Sequence, residues 1–411
     1  MKDHRVPIEG IVPVLFTGLL MLFLVLSLRT TKQADWCAAL LALAGTVVLF
    51  KAPPQRATLD RPTRYAAIGL LVWPAYQLIA LTVWHGPWPM AVDLWYGPLA
   101  LLVVFALRQI RVRPEFLFGA IALGAIAVLL VALNQVFIKD EPRAFGHWYP
   151  ISFGNWSAVL GGTSLLGLLL PARRAGLACL FAGGAAAGIG ASILSGSRGG
   201  WPVIPMYAAI FGLAWWRAGR NWRVPLVSLC LIAAVSVPFG MRVLQRLESA
   251  VQDVSLLRQD ASNTSLGMRL EMWRVAAGVF VAHPMTGIGP AGMTKALKAE
   301  VEARRLPADY LQFAHAHNDL LDAAATGGLP KIAVLSAFYA CWCLAFRRWG
   351  PGLNVPRLAG LCLVTALAIF GLTEAMMVHR ISDRLIPMLL GCLFALHWQT
   401  RDSSDSTPQF G

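Results

Sequence analysis

Charge is what this sequence has least of. Only 14% of its residues are Asp, Glu, Lys or Arg, and 57% are hydrophobic, whereas an ordinary soluble domain carries roughly 25% charged residues. Such a chain cannot cover a water-facing surface. That excludes a soluble enzyme, a secreted disulfide scaffold and a disordered protein. The seven cysteines all lie in apolar runs or at their edges, so neither a disulfide framework nor a cysteine metal site is expected. No D-x-D occurs, which removes support for a metal-bound nucleotide-sugar site of the usual kind. The charge present is lopsided, with 35 Lys+Arg against 21 Asp+Glu and a formal net charge of +14. Basic excess in an apolar chain belongs in cytoplasmic loops, so no nucleic-acid partner is expected.

Long apolar runs, by contrast, recur along the whole chain. Segments 11–28, 34–50, 66–84, 90–107, 115–138, 150–170, 174–193, 201–216, 224–240, 331–347, 357–378 and 385–398 are apolar, most of them of bilayer-crossing length. They predict an all-α polytopic membrane protein with about twelve transmembrane helices. The first run follows Lys2 and Arg5 as a signal peptide would, but lacks a small-x-small cleavage site. It is expected to be a retained anchor. Alternate short loops, the long segment after the ninth run set aside, carry 18 basic residues on one side and 7 on the other, which is expected to place both termini in the cytoplasm. The organisation is then spans one to nine over 1–240, a large exterior segment over 241–330, spans ten to twelve over 331–398 and a cytoplasmic tail over 399–411. The exterior segment is not spacer. Met268–Ala282 has helical apolar spacing broken by Arg269, Glu271 and Arg274, and an ordered insert on a bundle is a natural place for function.

Ionisable residues near a bilayer need a cavity or a partner. Those without a cytoplasmic anchoring role are Arg143, Arg198, Arg269, His315, His317, Glu374, His379 and Arg380. They come from five segments, and the topology puts all of them at the exterior face. An isolated loop arginine usually contacts lipid phosphate or water, and that reading applies to Arg380 and Arg384. Arg198 differs, because Ser195-Gly196-Ser197-Arg198-Gly199-Gly200 surrounds it with free backbone N–H groups and space, as an anion site requires. His315 and His317 are two apart, so on a helix they share no face, and no metal is expected there. Gly287-Ile288-Gly289-Pro290-Ala291-Gly292 spells G-x-G-x-x-G, but no strand precedes it and Pro290 interrupts it. It is read as a turn between exterior helices rather than a nucleotide site. Gly184 and Gly188 are read as a helix-packing face.

Several arginines and a histidine at a membrane surface suit a lipid-linked diphosphate. Guanidinium binds phosphate oxygens bidentately, and a histidine can take a proton from an incoming hydroxyl. With arginines stabilising the leaving diphosphate, transfer to an acceptor alcohol calls for no metal or cofactor.

His317-Asn318, nine residues and then Gly328 resemble the histidine motif of bacterial O-antigen ligases, H-[N/S/Q]-x9-G-x-x-[G/T/Y], with Lys331 departing at the last position. The Ser197-Arg198-Gly199 turn, Gly267-x-Arg269 with Trp273, Gly287-x-Gly289 and Arg143-x-x-Gly146 are also similar to that family's pattern. The resemblance implies a GT-C-like fold in a bacterial inner membrane with its active site facing the periplasm. It implies an inverting, metal-independent glycosyltransferase that moves O-antigen from undecaprenyl pyrophosphate to lipid A–core oligosaccharide. Carried over residue by residue, it makes His317 the general base, with His315 the secondary candidate. Arg198, Arg269 and Arg143 become ligands of the donor diphosphate, and Asn318, Glu374 and Arg380 support them. O-antigen polymerases and protein O-oligosaccharyltransferases share layout and carrier. A secondary transporter is the more distant alternative, although transporters place repeat halves around polar residues at the midplane.

Overall fold

The computed structural model describes residues 11–27, 32–51, 60–86, 88–110, 112–171, 175–223, 264–347 and 352–405, together with isolated helical positions between 225 and 248. The described residues are helical, with no strand among them. In chain order they form α1 (Ile11–Leu26), α2 (Lys32–Lys51), α3 (Arg61–Val83), α4 (Tyr96–Gln109), α5 (Pro114–Leu133), α6 (Pro150–Gly167), α7 (Ala175–Ser195), α8 (Val203–Arg217), α9 (Ser265–Ala282), α10 (Gly292–Glu302), α11 (Asp319–Ala345), α12 (Val355–Gly371) and α13 (Arg380–Asp405).

Six helices are long and apolar enough to cross a membrane: Lys32–Lys51, Arg61–Val83, Pro114–Ile138, Ala175–Ser195, Asp319–Ala345 and Arg380–Thr400. Val14–Leu26, Tyr96–Gln109 and Val355–Gly371 are shorter apolar helices. The protein is thus a polytopic helical membrane protein, but these helices do not reach the expected count of twelve. The expected ninth span, 224–240, lies almost wholly outside the described residues. The expected sixth is α6, which carries Ser152, Asn155, Ser157, Thr163 and Ser164, all buried. A helix enclosed by protein need not be as apolar as one facing lipid.

Small residues bring the central helices together. A Cβ on Gly188 of α7 would stand 2.5 Å from the Gly161 backbone of α6, and one on Gly184 would stand 2.6 Å from Ala122 Cβ of α5. Backbones that approach this closely gain packing contacts along their whole length. The tenth span was expected from 331, but α11 starts at Asp319 and is bent at Gly328 (φ +61°, ψ −156°), with Pro330 just beyond. A side chain at 328 would meet Pro284 O at 2.5 Å, so only glycine permits both the bend and the contact.

The segment before that bend belongs to a second, smaller core. Met272, Val275 and Ala276 of α9 pack with Met293 and Leu297 of α10, and with Leu306, Tyr310, Ala316 and Ala325. The α9–α10 connection is the glycine-rich turn, with Gly287 and Gly289 in left-handed backbone (φ +61° and +79°). Gly287 lies against the backbone of Ala325–Gly327 and Gly289 against the Trp84 ring at the end of α3. Helices α9 and α10 are thereby fastened to the bundle beside the segment that carries the histidines.

Candidate active site

Ala316 is fully buried in the small core, and His315 and His317 flank it. The expectation that these histidines share no face assumed a helix. Residues 313–318 form a strap outside any helix, and the two rings stand together with centroids 4.3 Å apart. His317 has φ +49°, an uncommon backbone state for a residue with a side chain. Asn318 follows in extended backbone, and its Oδ1 accepts from Leu321 N at 2.9 Å, capping α11. Its Nδ2 donates to Leu372 O at 3.1 Å. Asp322 Oδ1 accepts from Ala316 N at 3.3 Å. The histidine motif thus has a physical reading: a turned histidine, a cap that starts a helix, and a glycine that bends it.

The strap faces the connection between α12 and α13. Glu374 was expected to end the eleventh span, but α12 stops at Gly371 and Glu374 sits in this connection, 1% exposed. Its Oε2 lies 2.9 Å from His317 Nδ1, and its Oε1 lies 3.0 Å from His379 Nε2 and 3.6 Å from His315 Nε2. An ionised carboxylate only accepts. The nitrogens facing it at hydrogen-bond distance therefore carry protons, and His317 is left with a lone pair on Nε2. His315 Nδ1 accepts from the His317 backbone N–H at 3.3 Å, so its proton is on Nε2, toward the same carboxylate.

Burial alone pushes the Glu374 carboxyl up, but hydrogen bonds from His317 and His379 hold it well below the usual carboxylate value. Burial pushes the His315 imidazole down to about 4, against the opposing attraction of Glu374. At neutral pH the cluster therefore holds an anionic Glu374 and a neutral His315. His315, Glu374 and His379 each place one donor or acceptor atom within 4.8 Å of the others. Among the described residues this is a group whose spacing could hold a metal ion. The sequence argument against a metal relied on helical spacing that the strap does not have, and Glu374 and His379 join His315 from the facing connection.

The arginines are brought in by backbone. Arg198 begins a short helical turn, Arg198–Gly200, after α7. A Cβ on Gly199 would stand 2.7 Å from Thr373 Oγ1, so this turn adjoins the connection that holds Glu374. Arg143 Nε donates to Ser195 O at 2.7 Å, and Ala144 N donates to Leu194 O at 3.0 Å. Gln135 secures that loop by accepting from Phe145 N and Gly146 N and donating to Gly146 O. Arg143 and Arg198 therefore share the end of α7. Arg269 lies on a separate element, α9, and reaches Ser265 Oγ on its own helix at 3.4 Å.

Two readings of the sequence change. Arg384 is 2% exposed, not a lipid or water contact: Nη2 is 2.7 Å from Asp93 Oδ1 and Nη1 is 3.1 Å from Asp35 Oδ1. Arg380 also pairs with Asp93 through Nε while its side chain stays 52% exposed. The motifs gave His379 no role and overlooked Asp93. The available signal was that Asp93 is the lone acid of an apolar stretch, and that His379 and Glu374 are five apart.

Residues 183–336 match the O-antigen ligase family domain. An uncharacterized protein of Haemophilus influenzae is 28% identical over 246 residues, which is 58% of this chain and 60% of the relative. An O-antigen ligase of Escherichia coli is 22% identical over 130 residues, 31% of each chain. The chain thus spans about 60% and 31% of the lengths of these two relatives. Arg198, Arg269, His315, His317 and Gly328 fall inside the matched domain, while Arg143, Glu374 and His379 fall outside it. Over residues 183–336, which include these site residues, the chain is similar to the O-antigen ligase family domain.

Proposed function

We propose that this protein is an inverting, metal-independent glycosyltransferase that moves O-antigen from undecaprenyl pyrophosphate to lipid A–core oligosaccharide. In this reading it lies in the bacterial inner membrane with about twelve spans in a GT-C-like layout, and its site faces the periplasm. The family domain supports the reaction class. The observation that carries the mechanism is the 2.9 Å contact between His317 Nδ1 and Glu374 Oε2. It orients the ring, fixes its tautomer and leaves Nε2 as a base, the role a buried carboxylate plays behind a catalytic histidine elsewhere.

The acceptor hydroxyl gives its proton to His317 Nε2 as its oxygen attacks the anomeric carbon. The bond from that carbon to the diphosphate oxygen breaks on the opposite face, inverting the centre. The electron pair leaves on the diphosphate, where Arg198 and Arg143, with Arg269 from α9, offset the developing charge. Asn318 and Glu374 hold the base in place. Arg380 contributes from beside His379.

Purified protein in proteoliposomes, given a polyprenyl-diphosphate-linked glycan, tests the reading by choice of acceptor. Glycan transfer to lipid A–core supports it. Extension of a second lipid-linked glycan makes the protein a polymerase, and transfer to a pilin makes it a protein oligosaccharyltransferase. Orientation is tested by single cysteines in a cysteine-free background. Lys298→Cys on α10 should label from the periplasm in intact cells and Ser403→Cys should not.

A further inference from the structure

The mechanism above uses one side of Glu374. The other side is engaged as fully, by a residue to which neither the sequence motif nor the matched domain extends. His379 Nε2 lies 3.0 Å from Glu374 Oε1, as short as the contact made by His317 on the opposite oxygen. His379 is held in turn from two directions: its ring stands edge-on to His315 at 5.2 Å and tilted against Tyr149, at the head of α6, at 6.1 Å. Its side chain is 12% exposed.

We propose that His379 is a positioning residue for the transfer reaction, acting through Glu374. By donating Nε2–H to Oε1 it fixes the rotation of the carboxylate, so that Oε2 stays directed at His317 Nδ1–H and the His317 Nε2 lone pair stays directed into the site. The geometry supports this over a packing role. A carboxylate that is 1% exposed cannot recruit bulk water to replace a lost donor, and an unsatisfied buried charge relieves itself by rotating or drawing a proton. His315 cannot substitute, since its Nε2 is 3.6 Å from Oε1, beyond a direct hydrogen bond. Glu374 is bonded to the Ala375 N–H at 3.1 Å through this same oxygen, which constrains Oε1 but not the plane of the group. The second histidine supplies the missing constraint. The inference rests on the reading of His317 as the base.

The test is a double-mutant cycle in purified full-length protein, with glycan transfer and donor binding measured in the same preparation. The variants are His379→Phe, which keeps a ring and loses the donor, His379→Gln, which keeps an N–H donor, Glu374→Gln, and the His379→Phe/Glu374→Gln double variant. His379→Phe should lower kcat roughly tenfold, the scale of one buried hydrogen bond of about 1.4 kcal/mol, with the donor's KM and binding unchanged. His379→Gln should recover most of that loss. In the Glu374→Gln background, His379→Phe should cost little more, because its route through the carboxylate is already gone. Equal losses from His379→Phe in both backgrounds would overturn the proposal, as would failure of His379→Gln to recover kcat. His317→Ala, run alongside, separates the two ideas. If it keeps wild-type kcat, the base assignment is wrong, whereas a dead His317→Ala with additive losses at His379 and Glu374 refutes only the positioning role.

Discussion

Two charged clusters meet at the start of α13, and they are built on opposite principles. Asp93 takes both Arg380 and Arg384, Arg384 also reaches Asp35, and Tyr96 OH donates to Asp35 Oδ1 at 2.7 Å. The Arg384 guanidinium lies 5.5 Å from the Tyr96 ring centroid and 5.6 Å from that of Trp148. Cations and anions here serve one another, tying α2, α4 and α13 together. A few residues away, Glu374 receives N–H groups from two histidines, and one of those histidines keeps a lone pair for other use. The first cluster is closed and structural. The second is open on one side, and openness is what chemistry requires. An ionisable group near a membrane therefore marks function only when its partners leave part of its bonding capacity unspent.

The sharpest way to break this comparison is to remove the open end. His317→Ala should lower transfer by about 10²–10⁴-fold, the usual contribution of a general base, while donor binding persists because the arginines remain. His315→Ala should do less harm. Wild-type turnover in His317→Ala, with His315→Ala inactive, would move the base to the other histidine.

Next is the closed cluster. Arg384→Met leaves the buried Asp93 with Arg380 alone and should cost on the order of 3–5 kcal/mol of stability, the cost of breaking a buried pair. Adding Asp93→Asn should recover much of it, read as the thermal midpoint in detergent. A midpoint unmoved by Arg384→Met would show that the network bears no structural weight.

A smaller effect separates the clusters by pH. His315 titrates near 4 in the folded protein, below the roughly 6.5 of an unfolded histidine. Between those values the unfolded chain binds a proton that the folded chain refuses, so stability falls as pH drops from 6.5 toward 4. The loss should be on the order of 3 kcal/mol over the full range, and His315→Gln should flatten it. Glu374, held low, adds stability above the ordinary carboxylate value that disappears only as pH falls further. An unchanged slope in His315→Gln would assign the effect to another group.

The smallest expected effect concerns charge alone. Arg198→Ala should weaken donor binding by roughly 1.5–3 kcal/mol, one charge-assisted hydrogen bond to phosphate, and Arg198→Lys should rescue poorly because an ammonium lacks the bidentate fork. Full rescue by lysine would show that bulk positive charge suffices.

The sequence alone determined that this chain is helical and membrane-embedded, because run length and charge poverty leave no other way to satisfy backbone and side chains. It also marked Arg198 by its glycine-flanked turn, and His317, Asn318 and Gly328 by resemblance to a motif whose residues lie close together in the chain. What lay beyond it came from contacts between segments far apart in the chain. Periodicity could not show that α6 is enclosed by protein, since burial depends on neighbours rather than on its own residues. Helical spacing set His315 and His317 apart, whereas the buried Ala316 between them holds the strap outside any helix and their rings side by side. Arg384 looked like a lipid contact until Asp93, 291 residues away, was placed against it. Glu374 and His379 acquire their meaning only when the α12–α13 connection folds onto the strap. A carboxylate becomes a partner through distance and desolvation, and both are properties of the assembled bundle.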